Sequence, residues 1–195
     1  QGNQERIHAA QEAIQFIESQ QTIVKEYENI CSNPQQYPVR VMHHDTKISN
    51  VLLDKNKKGI CVIDLDTVMP GYFFSDVGDM LRTYLSPVSE EERDFNKIGI
   101  RIPIFEAIVK GYFSEMKNEL TSAEKESFVF AGKILIYMQA IRFLTDHFNN
   151  DIYYGAKYPG HNFIRGTNQI ALLKKLNEAE PALQAILVQQ INDSK

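Results

Sequence analysis

From residue 4 to residue 30 the chain contains no Gly or Pro, and Ile7, Ala10, Ile14, Ile17, Val24, Tyr27 and Ile30 recur mostly three or four residues apart, which predicts a helix. After residue 38 the pattern shortens. A strand is expected over 39–41, and the apolar runs 51–53 and 60–63 flank the polar turn 54–59, a hairpin signal. Pro103 suits the first turn of a helix running to Met116. A helix is expected over 121–148, with Thr121 or Ser122 as N-cap and Glu124 and Glu126 in its first turn. Its apolar residues, from Phe128 to Phe148, cover much of the circumference, so it should be central and buried. Pro181 separates a final pair of helices, 161–178 and 182–192. The fold class expected is mainly α with a small β-hairpin, α+β.

Composition narrows the class of protein without identifying it. With 195 residues, 43% hydrophobic and 24% charged, the chain suffices for one sizeable core and one domain. A formal net charge of -4 and the lack of a basic stripe argue against nucleic acid as a main partner. No apolar run is read as long enough for a membrane span or a signal peptide's core, so no membrane partner is expected. Cys31 and Cys61 stand alone, and Cys61, on an apolar strand, is expected to be a buried reduced thiol. A cytoplasmic location fits this usage.

The candidate chemistry lies between Val39 and Gly71. Asp45 follows His43 by two residues, Asn50 follows Asp45 by five, and Asp64 closes the second apolar strand. Phosphoryl transfer leaves the protein to position the nucleophile and neutralise developing charge, which an Asp on the acceptor hydroxyl and an Asn and Asp on a magnesium ion would do. Magnesium takes oxygen ligands, which suits Asn50 and Asp64. The hairpin would bring these two residues together. Each piece alone recurs by chance; their combination with the surrounding strands points to a kinase-like site.

The stretch HHDTKISNVLLD…VIDLDTVMPG resembles the aminoglycoside phosphotransferase and choline kinase superfamily, and looks most like its N-acetylhexosamine 1-kinase branch. FSDVGDMLR, FLTDHFNNDIYY and HNFIRGTNQIALLKKL resemble later segments. The usual Gly between the His and the Asp is His44 here, and a His often found two residues after the Asp is Lys47. Lys47 stands where Ser/Thr protein kinases put a Lys, and its ammonium could reach the transferring phosphate.

The resemblance implies the C-terminal lobe of a protein-kinase-like fold, with a leading helical segment 1–38, a catalytic loop and metal-binding hairpin 39–71, and a helical subdomain 72–195. The nucleotide lobe is then expected upstream of Gln1, and the 195-residue chain alone is expected to lack appreciable kinase activity. ATP and magnesium are the implied cofactors. Asp45 and Lys47 are assigned to catalysis, Asn50 and Asp64 to the metal, and His43, Asp76 and Asp66 to support. Asp76 is expected to accept backbone hydrogen bonds from the catalytic loop, and Asp66 to lie in the metal's outer shell.

Arg165, His161, Asn162, Asp79 and Arg82 are assigned to the acceptor, with the anomeric hydroxyl of an N-acetylhexosamine expected. Choline, ethanolamine, homoserine, another sugar or an aminoglycoside stay open as acceptors, with Tyr72, Phe73 and Phe74 available for a cation cage. A non-catalytic sugar-binding module also stays open. Arg142 and Asp146, four apart, are expected to pair or to anchor a loop. The sequence leaves the oligomeric state open.

Overall fold

The computed structural model describes residues 2–193. Its elements are α1 (Gln4–Ala9), α2 (Gln11–Ser19), α3 (Gln21–Cys31), β1 (Arg40–Met42), β2 (Val51–Leu53), β3 (Gly59–Val62), β4 (Met69–Gly71), α4 (Phe74–Tyr84), α5 (Ile102–Met116), α6 (Ser122–Glu126), α7 (Phe128–Phe148) and α8 (His161–Asp193). The chain is mainly helical with two small antiparallel sheets, as expected.

Helix α7 forms the centre of the core. Phe128, Val129, Ala131, Ile136, Ala140 and Phe143 are fully buried, and α4 and α8 pack along its sides. By length and composition alone α7 would cross a bilayer, with a mean hydropathy of 1.4 over its most apolar window. This corrects the reading that no run approached that length. Because 67% of that window is buried inside the protein, α7 has the surroundings of a core helix. Gly78 sets the α4–α7 approach: a Cβ there would stand 2.2 Å from the Ala131 carbonyl oxygen.

Helix boundaries depart from expectation in three places. The leading helix is three helices, broken at Ala10 (φ -102°, ψ 15°) and Gln20 (φ -93°, ψ 28°). The bends let successive apolar faces follow a curved surface, α1 on α7, α2 on α8 and α3 on α7. Ser127 divides 121–148 into α6, opened by a Thr121–Glu124 capping box, and α7. Pro181 lies inside one continuous α8. Its cost of about 3 kcal/mol is offset by burial on both sides, since Leu176, Leu183 and Leu187 are almost fully enclosed.

The β elements form two nested stems. β1 pairs with β4 (Arg40↔Gly71, Val41↔Pro70, Met42↔Met69), an outer stem the sequence reading lacked, and β2 pairs with β3 as the expected hairpin. Asp54 closes the hairpin turn, its Oδ1 accepting the N–H of Asn56 at 2.8 Å and of Lys58 at 2.9 Å. The inner hairpin stands clear of the helices, so all of β3 is exposed. Cys61 is therefore exposed, contrary to the expected burial.

Candidate active site

Between the outer and inner stems, residues 43–50 and 63–68 run side by side, and the first set of site residues lies there. The His43 ring reaches the Ile63 carbonyl (Nε2 to O, 3.0 Å), the Thr67 hydroxyl donates to the His43 carbonyl (2.6 Å), and the Ile63 N–H donates to the Asn50 carbonyl (2.9 Å). Because a carbonyl can only accept, His43 carries its proton on Nε2, leaving Nδ1 to accept the Asp45 N–H at 3.3 Å. Sequence distance is thereby converted into adjacency, and Asp45, Lys47, Asn50 and Asp64 come together.

Helix α4 supports the loop from beneath. The Asp76 carboxylate accepts the N–H of His43 at 3.0 Å and of His44 at 2.8 Å, a negative group on two donors that hold the turn. The Thr46 hydroxyl donates to the Asp76 carbonyl (2.7 Å), and the Tyr84 hydroxyl to the Thr46 carbonyl (2.5 Å). Burial, then the Asp79 charge, push the Tyr84 hydroxyl up to about 12, so it stays a donor. His44 and Asp64 both lie in the left-handed region, at φ 67° and 65°. His44 is held there by Ser75 Oγ on Nδ1 (2.6 Å) and the Met69 carbonyl on Nε2 (3.3 Å). A left-handed backbone favours Gly, so His44 keeps the conformation by side-chain contacts.

At the centre, Asp45 Oδ2 accepts from Lys47 Nζ at 2.6 Å and from Asn50 Nδ2 at 2.8 Å, while Asn50 Nδ2 also reaches the Asp45 carbonyl at 2.9 Å. Lys47 Nζ stands 4.0 Å from Asp64 Oδ2. Partial burial raises the affinity of Asp45 for a proton, but the hydrogen bonds from Lys47 and Asn50 and the Lys47 charge prevail and hold it below the ordinary carboxylate value. Lys47 is held above its ordinary value, chiefly by its hydrogen bond to Asp45, against burial and with the Asp64 and Asp79 charges adding.

With its Nδ2 committed to Asp45, Asn50 has Oδ1 left as its ligating atom, and Asp64 offers an exposed carboxylate. Two hard oxygen donors of this kind suit magnesium, which keeps further positions for water and phosphate. Among the described residues no three His, Cys, Asp or Glu side chains cluster as a metal-binding group. Asp66 lies exposed on the short turn Leu65–Thr67.

A second polar group adjoins the first. Asp79 is buried; its Oδ1 accepts from Arg82 Nε at 3.0 Å and Nη2 at 2.9 Å. Arg82 Nη1 donates to Glu90 Oε2 at 2.7 Å, and Glu90 Oε1 takes Arg165 through Nε (3.2 Å) and Nη2. Glu90 links the two arginines, a role the sequence reading missed because nothing local distinguishes it from its neighbour Glu91 in a polar loop. Arg165 lies 3.7 Å over the Phe143 ring and donates Nη1 to Asn162 Oδ1 at 3.1 Å.

Asn162 is fully buried, and its Nδ2 serves Asp146, Asp151 and the Gly155 carbonyl at 2.9–3.0 Å. It holds the α7–α8 loop, and its Oδ1 is taken by Arg165. Asp146 anchors the same loop, accepting the N–H groups of Tyr153 (2.8 Å) and Tyr154 (3.0 Å), while Arg142 turns to Gln139 at 3.4 Å and not to Asp146. His161 is buried against Tyr158; its Nδ1 accepts the Lys157 N–H at 3.4 Å, and its Nε2, 3.5 Å from Glu91 Oε1, has no hydrogen-bond partner. Phe73 and Phe74 are buried in the core, so they do not join Tyr72 in an open aromatic cage.

Residues 3–99, about half of the chain and the half carrying every group from His43 to Glu90, match the APH family, the phosphotransferase enzyme family, and this match supports placing the chain within the kinase-like phosphotransferases.

Proposed function

We propose that this chain is the C-terminal lobe of an ATP- and magnesium-dependent kinase that phosphorylates a hydroxyl of a sugar, the anomeric hydroxyl of an N-acetylhexosamine in particular. The observation that carries the reading is Asp45 Oδ2 held between Lys47 Nζ and Asn50 Nδ2, with Asp64 4.0 Å beyond the lysine. Asp45 Oδ1 takes part in neither bond and is the atom that orients the acceptor hydroxyl and receives its proton as the oxygen bonds to the γ-phosphorus and the bond from that phosphorus to the β,γ-bridging oxygen breaks, ADP leaving. A carboxylate with lowered proton affinity is a weak base in the ground state, which suits a loose transition state in which the proton leaves late.

Lys47 keeps Asp45 ionised, and its ammonium is placed to meet charge developing on the transferring oxygens. Asn50 Oδ1 and Asp64 would hold the magnesium, which when bound neutralises the nucleotide phosphates. A nucleotide lobe packed on this half of the chain is in keeping with the apolar side chains open along residues 39–65, among them Val41 at 75% and Ile60 at 67% exposure.

The N-acetylhexosamine assignment rests on the resemblance of the segment beginning at His161, and the buried Phe73 and Phe74 speak against choline. The test is an acceptor screen of the full-length protein with ATP and magnesium, using N-acetylglucosamine, N-acetylgalactosamine, choline, homoserine and an aminoglycoside. Preference for an N-acetylhexosamine supports the reading; preference for an amine-bearing acceptor overturns it.

A further inference from the structure

Asp79 has one oxygen that the fold leaves idle. The residue is 6% exposed, its Oδ1 carries both contacts from Arg82, and its Oδ2 is buried without a hydrogen-bond partner. An unsatisfied buried carboxylate oxygen loses hydration with nothing in return, a cost that proteins retain where a ligand restores the bond. Asp79 lies one turn beyond Asp76 on α4, on the same face, and that helix packs against the Ile48–Asn50 turn of the catalytic loop. The Asp45 and Lys47 charges both act on it, and the Thr46 N–H approaches the carboxylate closely enough to lower its proton affinity while Oδ2 lacks a partner of hydrogen-bond geometry.

The surrounding charges define what Oδ2 can take. Asp79, Arg82, Glu90 and Arg165 form a closed chain in which two carboxylates match two guanidinia. In this chain of charges no cation is left over for an acidic acceptor, and Arg82 offsets part of the Asp79 charge, although burial still raises the proton affinity of that carboxyl. A hydroxyl brings no charge and donates one hydrogen bond, which is what a carboxylate paired on one oxygen only, at Oδ1, lacks at the other.

Resting on the kinase reading above, we propose that Asp79 is a specificity-determining residue of the acceptor site. Its Oδ2 accepts a hydrogen bond from a second hydroxyl of a neutral polyhydroxylated acceptor while Asp45 holds the hydroxyl to be phosphorylated. Arg82, Glu90 and Arg165 act as positioning residues that fix the carboxylate and offset part of its charge.

The test combines the full-length protein, wild type and Asp79→Asn, with N-acetylglucosamine and its 3-deoxy, 4-deoxy and 6-deoxy analogues. Turnover with ATP and magnesium is measured alongside sugar binding by saturation-transfer NMR. The wild type should lose about tenfold or more in kcat/KM on one deoxy analogue only. Asp79→Asn should lose a similar factor on the parent sugar, with the KM for ATP unchanged, and no further factor on that analogue.

The wild-type series needs no variant, so it stands even if Asp79→Asn folds poorly. Equal turnover of all three analogues by the wild type, or an equal loss on every acceptor in the variant, overturns the role of Asp79 while leaving the kinase reading intact. Absence of both turnover and sugar binding overturns the two together.

Discussion

The His44 imidazole fills the space that a side chain at residue 71 would need: a Cβ on Gly71 would stand 2.5 Å from His44 Cε1 and 2.8 Å from Nε2. The two positions are joined through the outer stem, since Met42, just before the catalytic loop, pairs with Met69, just before Gly71. Gly71→Ala is expected to destabilise the chain by about 1–3 kcal/mol. Adding His44→Gly, which frees the ring's space and suits φ 67°, should recover most of that loss. Thermal melts of the two single variants and the double variant measure the coupling; strictly additive losses would contradict it.

Replacing Lys47 should change the acidity of Asp45. Lys47→Met removes the hydrogen bond and charge that hold Asp45 low, so the acid limb of kcat/KM should move to higher pH. In the wild type, the contribution of Asp45 to stability is present above its unfolded value near 3.8 and is lost as pH falls through the lower folded value. That of Lys47 is present below 10.5 and is lost as pH rises through its raised folded value. The pair is thus intact across the neutral range. A pH–rate profile of the variant with an unmoved acid limb would count against this coupling.

Glu90 bridges Arg82 and Arg165, so Glu90→Gln and Arg165→Ala should act through the same chain. Each is expected to raise the acceptor KM several-fold with little effect on the KM for ATP, and the double variant should lose less than the product of the two effects. Steady-state kinetics with both substrates varied gives the comparison, and independent multiplicative losses would show that Glu90 does not couple the arginines.

Gly78→Ala tests the packing beneath the site. The added methyl would stand 2.2 Å from the Ala131 carbonyl oxygen and 2.7 Å from Leu135 Cγ, one of them backbone, so α4 must move away from α7. A loss at or above the usual overpacking range of about 1–3 kcal/mol is expected, which for a chain of this size lowers Tm by about 2–4 °C per kcal/mol. An unchanged melting temperature would mean that the interface relaxes freely.

The sequence made the helical class, the inner hairpin and the convergence of Asn50 with Asp64 legible, because each rests on local signals: periodicity, turn residues and a short strand pair. It concealed the outer stem. Met69, Pro70 and Gly71 do not read as a strand, and they become one only because β1 supplies the partner. The breaks at Ala10 and Gln20 were hidden for a similar reason, since the surface they follow is made by α7 and α8. Pro181 misled in the other direction, its local cost being outweighed by buried leucines. Glu90 was invisible because its meaning comes from two arginines distant in sequence, and Cys61 read as buried because an apolar strand gives no sign that its hairpin stands clear of the core.

In the proposed reaction Asp45 acts on the acceptor hydroxyl and Asp64 on magnesium. The most direct measurement is turnover by the full-length protein and its Asp45→Asn and Asp64→Ala variants across a range of magnesium concentrations. Asp45→Asn should cut kcat by about 10²-fold or more while keeping the magnesium–nucleotide affinity, and Asp64→Ala should raise the magnesium concentration needed for half-maximal rate. Near-normal turnover by Asp45→Asn, or an unchanged magnesium requirement in Asp64→Ala, would rule out these roles.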